Sequence, residues 1–157
     1  MPQPLAPSLC PSLLDACVER AWSLTNLKLS GQPLTDPRSV TSLCSLLTFQ
    51  DTQCQIQYLD LSWCSLSPKS LAKVSEHFLD LSGSDFAKCP LKTLNLSYNA
   101  LNCQETHKDF EYSERFISDI CLLLTSGHVD LRHLDLSGMG LQGPNGRWVV
   151  KLAEALS

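Results

Sequence analysis

Few side chains in this 157-residue chain have the types and spacing to carry chemistry. Its four histidines, His77, His107, His128 and His133, fall in unrelated surroundings. Cys103 and His107 share a C-x3-H spacing, which would supply two of the four ligands that zinc takes. Two ligands do not close a site, and a polar loop is the plainer reading of that segment. Asp60 and Asp135 are the carboxylates in most similar settings, but they sit on equivalent strand positions separated by Asn95, not at a catalytic spacing. The chain has no glycine-rich phosphate loop and no nucleophile elbow. The expectation is a non-enzymatic protein with no catalytic residue, no metal site and no cofactor.

The elements that would position any surface come from a line the chain writes four times. The segments are LTNLKLSGQPL (24–34), IQYLDLSWCSL (56–66), LKTLNLSYNAL (91–101) and LRHLDLSGMGL (131–141). Each has the form L-x-x-L-x-L-S-x-x-x-L, with Ile56 as the one substitute. The intervals from Leu27 to Leu59 to Leu94 to Leu134 are 32, 35 and 40 residues. Alternating leucines put two apolar side chains on one face of a strand and the residue between them on the other. One such strand cannot bury that face alone, so neighbours must stack.

Helical sequence fills the intervals. Asp36-Pro37 and Ser67-Pro68 each pair a capping residue with proline at the first helical position. Apolar stripes follow at helical spacing: Val40, Leu43, Leu46 and Leu47; Leu71, Val74 and Phe78; Phe116, Ile117, Ile120, Leu123 and Leu124; Trp148, Val149, Leu152, Ala153 and Leu156. Leu9, Leu13, Leu14, Cys17, Val18 and Ala21 form a further amphipathic stretch, suited to an N-terminal cap over the first unit. Trp22, Cys54, Cys89 and Val129 stand two residues ahead of the four segments and are expected to be buried where helix turns back into strand.

This pattern resembles the leucine-rich repeat family, and its long intervals are most similar to the ribonuclease-inhibitor-like branch. The resemblance covers residues 22–157. It implies an α/β solenoid of about four repeats, starting near 24, 56, 91 and 131, with short parallel strands on a concave face and helices on the convex face. Residues 1–21 are then an N-terminal tail and capping helix. The family places asparagine or cysteine at the ninth repeat position, where the side chain satisfies turn backbone. Cys64 and Asn99 fit, whereas Gln32 and Met139 do not, so the outer turns are expected to be irregular. LDLSG at 79–83 copies part of the line but lacks the leading leucine and lies too close to Leu94. It is assigned to a helix end and loop running to Pro90. The polar stretch 102–115 lengthens the third repeat and is expected to be an exposed surface loop.

Aligning the segments lines up the residues that face away from the leucines. One column is Asn26, Tyr58, Thr93 and His133; the next is Lys28, Asp60, Asn95 and Asp135. A serine column, Ser30, Ser62, Ser97 and Ser137, suits a crowded sheet edge and is given a structural role. Gly31, Trp63, Tyr98 and Gly138 run beside it. Leucine-rich repeats commonly bind proteins on this face, and exposed aromatic residues are enriched at interface hot spots. The resemblance and the columns together nominate Tyr58, Asp60, Trp63, Asn95, Tyr98, His133 and Asp135 as a protein-binding strip. The competing reading for Trp63 and Tyr98 is that each ring folds over its own loop.

An apolar content of 43%, a charged content of 18% and a net charge of -4 describe one globular domain without a basic face, which argues against nucleic acid and anionic membrane as partners. No signal peptide or membrane-spanning run is recognisable, and the prolines at 2, 4, 7 and 11 interrupt the N-terminal apolar residues. None of the eight cysteines forms a CxxC pair, and Cys17, Cys44 and Cys121 fit helix-core positions. Reduced thiols in an intracellular protein, cytoplasmic or nuclear, are expected, although the even count leaves disulfides open. Asn95-Leu96-Ser97 matches a glycosylation acceptor by chance, since it lies inside the leucine pattern. The expected function is a scaffold for a protein partner. Two alternatives stand beside it. Ser12-Leu13-x3-Cys17-x3-Ala21 looks like the short box by which ubiquitin-ligase substrate receptors bind elongin C. The open edge of the fourth strand would suit a piece of a larger assembly, covered by another chain or by further repeats.

Overall fold

In the computed structural model the described residues are 24–47, 55–82, 90–101, 106–127 and 129–157. The capping stretch and elongin-type box of 1–21, Trp22, Cys54, Cys89, Cys103, His128 and the loop 83–89 lie outside them.

Four short strands form one parallel sheet: β1 (Asn26–Lys28), β2 (Tyr58–Asp60), β3 (Thr93–Asn95) and β4 (His133–Asp135), in the order β1-β2-β3-β4. The central leucines stand side by side, Leu27 against Leu59, Leu59 against Leu94, and Leu94 against Leu134. Between and after the strands run α1 (Pro37–Leu47), α2 (Pro68–Ser82), α3 (His107–Thr125) and, after a short 3-10 turn at Pro144–Gly146, α4 (Arg147–Leu156). Strand leucines and helix stripes meet in one apolar cluster. Leu59, Leu61, Leu94, Leu43, Leu71, Ile117 and Ile120 are fully buried within it. None of the described helices is long and apolar enough to cross a membrane.

The helix starts follow local chemistry. Asp36 Oδ1 accepts the amide of Arg38 at 2.9 Å, and Ser67 Oγ accepts the amide of Ser70 at 3.2 Å, each ahead of a proline at the first helical position. A third cap corrects the reading of 102–115 as a surface loop. Thr106 Oγ1 accepts the amide of Asp109 at 3.1 Å and donates to its carboxylate at 2.8 Å, so α3 begins at His107. Phe110 and Tyr112 pack on the core and Ser113 is buried, which makes most of that stretch helix. LDLSG at 79–83 does begin as a helix end, since α2 continues through Ser82.

α4 also departs from expectation. Trp148 and Leu152 are buried, but Val149, Ala153 and Leu156 remain exposed. Glu114 of α3 holds this helix in place, accepting Trp148 Nε1–H at 2.6 Å and Lys151 Nζ at 2.9 Å. Burial works to raise the Glu114 pKa, but the hydrogen bonds from Lys151 and Trp148 outweigh it and hold the carboxyl below its usual range. Val129 is half-buried against the core, the one member of its column within the described residues.

Asn99 occupies the polar centre of the turns and is fully buried. Its Oδ1 accepts the amides of Cys64 (3.2 Å) and Leu66 (3.0 Å), and its Nδ2 donates to the carbonyls of Leu61 (2.8 Å) and Leu96 (2.9 Å). One turn back, Cys64 Sγ donates to the Leu29 carbonyl at 3.0 Å. The outer turns are not irregular. Gly31 and Gly138 adopt the same left-handed backbone as Trp63 and Tyr98, and Met139 fills the Asn99 position as a buried apolar side chain.

Candidate protein-binding surface

The helices cover the leucine face of the sheet, and among the described residues the other face is open. On it, Tyr58 and Thr93 are half-buried and His133 is exposed along one row, and Asp60 and Asn95 are half-buried and Asp135 exposed along the next. The register places Tyr58, Thr93 and His133 side by side, and likewise Asp60, Asn95 and Asp135. A shallow groove of about 450 Å³ runs over this face, lined by Tyr58, Thr93, Asn95, His133 and Asp135 together with Arg132.

The carboxylate row has a structural duty as well. Asp60 Oδ1 accepts the amide and the hydroxyl of Ser62 at 2.9 and 2.6 Å. Asn95 Oδ1 does the same for Ser97 at 3.0 and 2.6 Å, and Asp135 Oδ1 accepts the Ser137 amide at 2.9 Å. The hydroxyl and amide of Ser137 hold the Asp135 carboxyl below its usual range. One oxygen of each residue therefore closes the turn, while the rest of the group faces outward. The serine column is accounted for by these bonds and by the Ser30–Ser62 hydroxyl contact at 2.8 Å.

Two basic groups outside the nominated strip frame the face, Lys28 from the second column and Arg132 from neither. Lys28 Nζ sits 5.2 Å from the centroid of the Tyr58 ring, a cation–π distance. Arg132 lines the groove and pairs with Asp130 at 3.0 Å. Arg132 precedes its strand, so strand alternation gave no reason to count it.

Trp63 and Tyr98 stack on one another over the turns, with ring centroids 4.2 Å apart and planes 12° from parallel. They are 49% and 47% exposed. Neither ring lies alone over its own loop; each covers one face of the other. The far face of Tyr98 rests on Gly138, where an added Cβ would come within 2.4 Å of the ring.

The backbone beneath the rings is unusual. The four turns carry a left-handed residue at the same place: Gly31 (φ 76°), Trp63 (φ 56°), Tyr98 (φ 59°) and Gly138 (φ 66°). Glycine adopts this conformation freely, whereas an L-residue gives up roughly 1–2 kcal/mol there. A stacked aromatic pair returns only about 0.5–1.5 kcal/mol beyond its area burial. The inner turns thus hold two large rings where glycine suffices for the outer turns.

Among the described residues, no cluster of three or more His, Cys, Asp or Glu side chains is arranged to hold a metal ion. His107 lies at the start of α3, 3.3 Å from Glu111 and far along the chain from the strand face. Burial raises the thiol pKa of Cys44 and Cys121, the opposite of what an activated nucleophile requires.

Comparison with known proteins finds no matching family model, no matching curated protein and no matching solved structure.

Proposed function

We propose that the chain is a ribonuclease-inhibitor-like leucine-rich repeat solenoid that works as a non-enzymatic scaffold, binding a protein partner on the sheet face opposite its helices. The single observation that carries this reading is the Trp63–Tyr98 stack. Both rings are about half exposed, and both stand in left-handed backbone that the outer turns give to glycine. Strain kept at an exposed site points to a use other than folding. Rigid, half-exposed aromatic rings supply contact area at low entropic cost, which is what an interface centre needs. The half-buried Tyr58 ring, the outward Asp60, Asn95 and Asp135 groups and His133 form the polar surround.

The test is affinity capture from cells with the wild-type chain and with a Trp63→Gly/Tyr98→Gly variant whose folding has been checked by circular dichroism. A partner retained by the wild type and lost by the variant supports the assignment. Identical captured sets from the two chains refute it.

A further inference from the structure

We infer that a second copy of this chain docks on the open edge of β4, with the two β4 strands antiparallel about a two-fold axis at Leu134. Each of the first three strands and its turn sends backbone N–H groups to the strand that follows it. Leu29, Gly31 and Leu34 donate to the carbonyls of Asp60, Ser62 and Cys64, and Leu96, Tyr98 and Leu101 donate to those of Asp135, Ser137 and Met139. The Lys92 carbonyl accepts from Arg132 and His133. By the same alternation, the outward groups of β4 are the Arg132 carbonyl, the N–H and carbonyl of Leu134, and the Leu136 N–H. Among the described residues no strand pairs with this edge.

The side chains at this end are uncovered in the same way. Leu91, Leu94, Leu96 and Leu101 are buried, while their counterparts Leu131, Leu134, Leu136 and Leu141 are only partly so. The exposed residues of α4 fall on the matching side. With successive residues turning by about 100° around a helix, Val149, Ala153 and Leu156 form one stripe. The α3-facing Lys151 lies on the other side of the buried Trp148–Leu152 line. Val149 is 49% and Leu156 71% exposed.

What selects a second copy as the occupant is that the edge complements itself. Antiparallel pairing centred on Leu134 satisfies the outward groups reciprocally: Leu134 N–H to the second copy's Leu134 carbonyl and back, and Leu136 N–H to the second copy's Arg132 carbonyl and back. It also sets His133 directly opposite the second copy's Asp135, and Asp135 opposite the second copy's His133. Both pairs lie on the open face, in the non-hydrogen-bonded positions where cross-strand side chains approach most closely. A two-fold normal to the sheet keeps both helix layers on one side, so α4 meets its mate antiparallel and the two apolar stripes cover one another. The groove face stays open and continues across both copies, which leaves the proposed partner site accessible.

Sedimentation equilibrium of the full chain from about 1 to 200 µM tests this, since a standard isologous interface is half-formed within that range or below it. A monomer–dimer equilibrium is expected. Val149→Lys/Leu156→Lys, which alters exposed residues only, should leave a folded monomer throughout. His133→Asp alone sets carboxylate against carboxylate, and Asp135→His alone sets imidazole against imidazole. Each should weaken dimerisation about tenfold. Mixing those two variants restores both complementary pairs and should give a heterodimer of near wild-type strength. Monomer at every concentration overturns the inference, as does open-ended assembly, which would indicate head-to-tail stacking. A dimer indifferent to the α4 lysines, or a mixture no tighter than its components, overturns it too.

Discussion

Replacing Asn99 with alanine isolates how the turns are held. Asn99 is fully buried, and its side chain is the acceptor for the amides of Cys64 and Leu66 and a donor to the carbonyls of Leu61 and Leu96. Alanine removes these four bonds and a longer one from Nδ2 to the Ser97 carbonyl (3.4 Å), and supplies nothing in return. A buried donor left without a partner costs about 1–3 kcal/mol, and two amides lose their acceptor here. The carbonyls, with two lone pairs each, add less. The expected loss is about 3–5 kcal/mol, a large part of the roughly 5–15 kcal/mol that stabilises a typical domain. Asn95 is the natural control: the same residue type four positions earlier, half-buried, with its side-chain oxygen accepting from the amide and hydroxyl of Ser97. Asn95→Ala should cost about 1 kcal/mol. Urea unfolding followed by circular dichroism measures both, provided the two variants share the wild-type m-value. If Asn99→Ala falls within 1 kcal/mol of wild type, or costs no more than Asn95→Ala, the turns are not organised around that side chain.

Three further outcomes follow from the packing. Gly138→Ala places a Cβ within 2.4 Å of Tyr98 at a left-handed position, so it should cost about 2–3 kcal/mol and shift the near-UV aromatic signal as the ring is displaced. Leu94→Ala should cost about 3–5 kcal/mol in chemical unfolding, whereas Leu134→Ala, at a half-buried site, should cost about half as much. Glu114→Gln weakens two charge-assisted bonds and should lose about 1–2 kcal/mol at neutral pH. Because the folded pKa of Glu114 is depressed, its ionised contribution is fully present above the ordinary glutamate range and disappears as pH falls through the lower folded value. Wild-type and Glu114→Gln unfolding curves should therefore converge on acidification from about pH 4.5 downward.

The strand leucines and the Asp36 and Ser67 caps were legible in the sequence because each states its chemistry locally. The alternation L-x-L has one strand solution, and a capping residue before proline has one helical solution. Thr106-x-x-Asp109 was equally local, but the polar average of 102–115 hid the cap, and the buried contacts of Phe110 and Tyr112 depend on helices elsewhere in the chain. The left-handed column was half visible: Gly31 and Gly138 announce it, while Trp63 and Tyr98 conceal it, because nothing in an aromatic residue signals positive φ. The double duty of Asp60, Asn95 and Asp135 follows from the serine two residues on, a pairing the outward columns separated into two rows. Amphipathic spacing in α4 identified an apolar face but not which part of it the fold covers. That depends on the Glu114–Trp148 bond, between residues 34 apart.

The claim that the Trp63–Tyr98 pair serves recognition rather than folding is tested most directly by the unfolding free energy of Trp63→Gly. Relief of about 1–2 kcal/mol of backbone strain opposes loss of a stack worth about 0.5–1.5, of about 1–1.5 for the half-buried area of the ring, and a glycine entropy term of about 0.5–1. The variant should stay within about 2 kcal/mol of the wild type while losing its partner. A destabilisation of about 3 kcal/mol or more would place the ring among the groups that hold the fold together and remove the basis for the proposed site.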